Sequence, residues 1–160
     1  MERRDYILRM IEQLGTMLAE LRRRILGRSA EHETVEGELA EVAKLGGLDY
    51  DLARVMGPDT LLMMVAPGGD VDPGRCWLLA ELSYLDGLEA DLAGDPEAAR
   101  DALERAGFLY GLLRPLPGNL VGVHEADERL AEIESRLGAL GPRRGRARAP
   151  RGLVTGDVDA

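Results

Sequence analysis

Apolar residues recur along this chain at helical spacing almost from its start. Ile7, Ile11, Leu14, Leu18, Leu21 and Ile25 step alternately by four and three, a seam of mean period about 3.5 that marks one face of an α-helix. Tyr6, Met10 and Met17 widen the stripe to the breadth of a core-facing surface. The pattern predicts a helix over 2–27, stopped by Gly27. Such a seam packs either within its own chain or against a second copy. In the second case Leu14, Leu18 and Leu21 carry self-association. A second helix is expected over about 30–45, capped by Ser29, with a narrow stripe of Val35, Leu39, Val42 and Leu45. Its glutamates, at 31, 33, 36, 38 and 41, read as a solvated face. Gly46-Gly47 ends it, and an antiparallel hairpin over about 2–45 brings Arg22-Arg23-Arg24 near its acidic start.

Residues 48–66 are short and apolar. Leu48, Leu52, Val55 and Met56 suggest one short helix, and Pro58 with Asp59 opens another that carries Leu61 to Val65. Met63-Met64 reads either as core or as an adaptable binding surface. Pro67 to Gly74 is a loop by composition. Asp70 and Asp72 are spaced as in a calcium loop, but the Glu that would complete it is missing, and Asp72-Pro73 reads better as a helix cap and first residue. Two helices follow, Trp77–Leu92 and Glu97–Leu113, separated by Gly94-Asp95-Pro96. A loop over 115–123 leads to a final helix over 124–140, with Ala126, Leu130, Ile133 and Leu137 as its stripe. Residues 142–160 combine Pro, Gly and five Arg without apolar periodicity, which predicts a disordered tail.

Gly87, Gly94, Ala99 and Ala106 stand 7, 5 and 7 residues apart. That spacing of small residues resembles one tetratricopeptide repeat, a helical hairpin with a period of about 34 residues. The resemblance covers about 80–113, within a hairpin at about 74–114, and the second helix follows it more closely than the first. The family's large first-helix position falls on Ser83, its Leu before the first Gly on Asp86, its Tyr on Ala90, and its closing Pro on Gly111. No second copy stands 34 residues to either side, so neighbouring helices must cover the faces that further repeats would bury. The resemblance implies an all-α array of hairpins that binds proteins and performs no chemistry. Tyr84, Leu88, Tyr110 and Arg114 are the candidate partner-groove residues. Arg4 to Leu14 is also similar to the start of an uncharacterised bacterial helical family, which implies no function.

Composition and charge narrow the picture. The 160 residues suit one domain, placed at 1–141 before the tail. Aromatic residues are only 4%, which favours helices over sheets. Residues 1–28 carry seven Arg against four acids, 29–141 eight Lys and Arg against 23 acids, and 142–160 five Arg against two Asp. So acidic a body repels nucleic-acid phosphates, and only the ends attract them. Cys76 is the single cysteine, which excludes an internal disulfide and fits a reducing compartment. Neither a leader peptide nor a membrane span is apparent, and a cytoplasmic setting is expected. His32 and His124 each lack a second His or Cys at helical spacing, and no phosphate-loop or nucleophile-elbow motif occurs. No cofactor or metal is expected. A site at Cys76, His32 or His124 is all that an enzymatic reading has to offer. The expectation is therefore a non-enzymatic interaction or scaffold protein with a protein partner or a second copy of itself. The alternative is a nucleic-acid or anion-associated protein acting through Arg143, Arg144, Arg146, Arg148 and Arg151.

Overall fold

A computed structural model describes residues 2–28, 31–118 and 122–142, the side chains of 2–8 and 32 excepted. Among them the chain is all helical: α1 Glu2–Leu26, α2 His32–Leu45, α3 Tyr50–Arg54, α4 Pro58–Val65, α5 Pro73–Leu92, α6 Pro96–Leu113 and α7 Val123–Leu140. No helix among the described residues is long and apolar enough to cross a membrane. Ser29, most of the 142–160 tail and the His32 side chain lie outside this description.

The helix starts follow local chemistry. Asp49, Asp72 and Asp95 each accept a hydrogen bond from the backbone N–H three residues on, and Pro73 and Pro96 take the first helical positions, where a missing N–H costs nothing. At α2 the cap is Glu31, which makes no such side-chain bond.

The molecule is built around α5. Cys76 to Leu85 and Gly87 to Ala90 are all buried, so this helix is covered on every side. α6 pairs with it through the turn at 93–95, and α7 lies antiparallel along α6. α1 and α2 close the other sides, with Ile11 against Gly74, Gly15 against Trp77 and Gly46 against Leu78. The α5–α6 approach depends on Gly87. A Cβ there would stand 2.7 Å from Leu103 Cγ and 3.3 Å from the Leu103 backbone N. Gly122, the N-cap of α7, sits at φ +76 against the Trp77 ring, where a side chain has neither the conformation nor the room.

The expected stripes hold with local departures. Val35, Leu39 and Val42 are buried, whereas Leu45, the last residue of α2, is exposed. Leu48 is buried, but Leu52 and Val55 point outward, because a five-residue helix can bury only one face and α3 uses Tyr50 and Ala53 for it. In α4 Leu61 and Val65 face inward, leaving Leu62 and Met63 in solvent.

Candidate functional site

Polar side chains carried by α5 organise two clusters. In the first, the Arg105 guanidinium, with a side chain only 8% exposed, lies between α5, α6 and α3. Its Nε donates to Ser83 Oγ at 3.0 Å. One terminal nitrogen donates to Tyr50 Oη at 3.1 Å and to Asp86 at 3.4 Å, and the other to the Arg54 carbonyl at 3.4 Å. Asp86 also accepts from Tyr50 Oη at 2.6 Å and from Arg54 in a two-pronged fork of 3.2 and 3.0 Å. Burial, and next the Asp86 carboxylate, push the Tyr50 pKa well up. Ser83 and Asp86, two of the four positions where the sequence departs from the repeat pattern, are thus both acceptors of Arg105. Through this guanidinium α3 is tied to α5.

In the second cluster Glu81 accepts from Tyr110 Oη and from Arg129 Nε, the latter at 2.9 Å. Arg129 reaches Glu132 at 3.2 Å and lies 4.9 Å over the Tyr84 ring, and Arg22 of α1 joins Glu132 at 3.2 Å. Burial works against the Glu132 charge, but the Tyr84 hydroxyl beside it and the two arginines outweigh this and hold its pKa below the ordinary range. The Tyr84 hydroxyl is buried without a hydrogen bond of ordinary geometry; burial, then Glu132, push its pKa up.

These clusters settle the surroundings of the sequence candidates. Leu14, Leu18 and Leu21 are buried in the chain's own core, so no apolar seam of these three stands on the surface for a second copy. Tyr84, Leu88 and Tyr110 are fully buried, because α1, α2 and α7 cover the faces that an open groove would present. Arg114 alone of the seven is exposed, paired with Asp127 at 2.9 Å. Cys76 is buried, its thiol donates to the Leu109 carbonyl at 3.2 Å, and burial pushes its pKa up to about 12, far from an activated nucleophile. His124 is exposed beside Glu125. Among the described residues no three His, Cys, Asp or Glu side chains gather as metal ligands.

Concavities among the described residues include a groove and a pair of adjoining hollows. A groove of 870 Å³ runs between α1, α5 and α7, with Leu18 and Trp77 in its wall and three carboxylates (Glu12, Glu81, Glu125) balanced by three guanidiniums (Arg22, Arg23, Arg129). On another side, two adjoining hollows share Arg54, Asp101 and Arg105 and form a trough along α6: one of 390 Å³ between α3, α4 and α6, the other of 230 Å³ between α2, α3, α5 and α6. One half is lined by Val55, Met56, Leu61 and Phe108. Val55, 81% exposed, stands in its rim, and Met63, 73% exposed, on the same short helix as Leu61. Leu52 of α3 and Leu62 of α4 are exposed as well. Sequence reasoning placed Val55 on a short helix, which ends one residue before it, and left Met63 open between core and surface; the brevity of α3 and α4 was the signal that some of the apolar residues here must stay outside.

Comparison with family models, with curated proteins and with solved structures finds no match.

Proposed function

We propose that the protein is a non-catalytic, cytoplasmic helical interaction module that binds a protein partner on the α3–α4 face. The observation that carries this reading is that Val55, Met63, Leu52 and Leu62 are all exposed large apolar side chains within the single stretch 52–63, on or beside the short helices α3 and α4. Scattered single exposures are ordinary, whereas grouped ones mark interaction surfaces. Methionine at such a place adapts to partners of differing shape. The tetratricopeptide-like hairpin α5–α6 serves in this reading as the scaffold. Its own faces are occupied by α1, α2 and α7, so recognition moves to the helices packed at its flank.

The test is selection of amphipathic helical peptides from a displayed library against the full chain. Affinities are then compared between the parent and a Val55→Asp, Met63→Asp variant. Both side chains are exposed, so the variant keeps its fold, with stability within about 1 kcal/mol of the parent. A loss of about tenfold or more in affinity, about 1.4 kcal/mol, supports the assignment. Selected peptides that bind both proteins equally, or failure to select any, overturn it.

A further inference from the structure

We infer that the groove between α1, α5 and α7 binds a small amphipathic carboxylate. Its charge lies at the Arg22 end, and an uncharged apolar body runs along Leu18 to Trp77. The site is separate from the α3–α4 face, and the inference does not rest on the reading of that face.

The groove exists because α1 packs on α5 and α7 on α6, while α1 and α7 make little contact with each other. Gly15 and Ala19, one turn apart on α1, keep that wall low. Its 870 Å³ falls within the range of about 300–1,000 Å³ usual for small-molecule sites.

The packing around Trp77 fixes the direction of its charges. Gly15 lies against one edge of the indole, and Gly122, the N-cap of α7, against the other. Two turns further along, Arg22 of α1 reaches Glu132 of α7 at 3.2 Å and closes the far end. Glu12 and Glu125 therefore belong to the Trp77 end, and Arg22, Arg23 and Arg129 to the other. The charges that balance over the whole groove are separated along it. Glu81, the third acid, is already occupied by the Tyr110 hydroxyl and Arg129. From Gly15 to Arg22 α1 advances about 10 Å, which sets the length of the apolar body.

The arginine end has donors to spare. Glu132 takes one terminal nitrogen of Arg22. Among the described residues, Arg22 Nε and the neighbouring Tyr84 hydroxyl are buried without a hydrogen bond of ordinary geometry. Buried donors left unanswered are costly, and a ligand carboxylate supplies the acceptor. The Arg22 side chain is 35% exposed, so it turns toward the groove without unpacking the core. Arg23 pairs with Glu20 of its own helix, an exposed contact that an incoming anion replaces at little cost. At the opposite end Glu12 and Glu125 repel a second negative charge, so one carboxylate at one end is the form that fits.

Trp77 is the single tryptophan, so its emission reports on the groove directly. The probe is decanoate, added to the full chain below its micelle concentration, with acetate and decyltrimethylammonium as controls. The expected result is a saturable change in Trp77 emission at sub-millimolar decanoate, with amide shifts concentrated at 15–23 and 125–132. Neither control saturates. Ala19 is exposed, and Ala19→Glu sets a carboxylate three and four residues before Arg22 and Arg23, where it pairs with them within the helix. That variant is expected to keep its helicity and melting temperature and to bind decanoate about tenfold more weakly or worse, as loss of a charged hydrogen bond does. No saturable change, equal binding of decyltrimethylammonium, or undiminished binding by Ala19→Glu overturns the inference. So do shifts centred on 52–63, which would mark association with the apolar α3–α4 surface instead. Peptide selection reads that other surface, so either assignment can fail while the other stands.

Discussion

At the scale of single residues, two positions carry much of the specificity of the fold. Arg105 makes four hydrogen bonds to groups on two other helices, Ser83 and Asp86 on α5 and Tyr50 and the Arg54 carbonyl on α3. A lysine has no planar fork and cannot serve Ser83, Tyr50 and Asp86 together. Arg105→Lys is expected to lower unfolding free energy by about 2–4 kcal/mol, because buried acceptors lose charged donors. Urea denaturation measures this, and a change under about 1 kcal/mol would show that the cluster has little energetic weight. Gly87 tests the packing of α5 on α6. Alanine is favoured over glycine in a helix by about 1 kcal/mol, yet its Cβ meets Leu103 at both side chain and backbone. The clash is the larger effect, and Gly87→Ala is expected to destabilise by about 1–2 kcal/mol net. A stabilised variant would mean that the two helices separate easily.

At the scale of elements, the sequence was most legible where a long stripe or a cap stood out. α1, α6 and α7 begin and end within a residue or so of their periodic patterns, and Asp72-Pro73 and Asp95-Pro96 start their helices as their chemistry requires. What could not be read was the full burial of α5. The sequence shows one leucine stripe, Leu82, Leu85, Leu88 and Leu92, with the polar residues Glu81, Ser83 and Asp86 between. Glu81 and Ser83 are buried and Asp86 partly so because Arg105, Tyr50, Arg54, Tyr110 and Arg129 arrive from three other helices to satisfy them, and no local pattern encodes those meetings. The same burial makes the tyrosines a pH probe. Tyr50, Tyr84 and Tyr110 all have raised pKa values, by burial first and then by neighbouring carboxylates. In the unfolded chain they ionise near the ordinary value of about 10. The folded state therefore holds the protons more tightly. The stability this represents is fully present below that pH and declines as pH rises above it. Helicity and phenolate absorbance followed together through this range are expected to change in one step. Phenolate absorbance from these three residues in a still fully helical protein would contradict their burial.

At the scale of the whole molecule, α1 and α2 do for the α5–α6 hairpin what further repeats do in an array: they bury the faces that one hairpin cannot. The regular leucine seam of α1 is accounted for by this intrachain role. A Leu14→Glu, Leu21→Glu variant is therefore expected to lose its fold, since two carboxylates forced into an apolar interior cost several kcal/mol each, comparable with the stability of a whole domain. A helical, cooperatively melting monomer from that variant would return the seam to the surface and restore self-association through α1. With the hairpin enclosed, the proposed working surface is the α3–α4 face, tied to the scaffold by the Tyr50–Asp86–Arg105 cluster and presenting Val55 and Met63 outward. The most direct measurement of that claim is a titration of the isotope-labelled full chain with a peptide selected against it, following amide shifts residue by residue. The account predicts shifts concentrated at 52–63 and along the trough-facing positions of 101–108. Shifts centred instead on Gly15 to Leu26 and Val123 to Arg129, around the groove of α1 and α7, would contradict it.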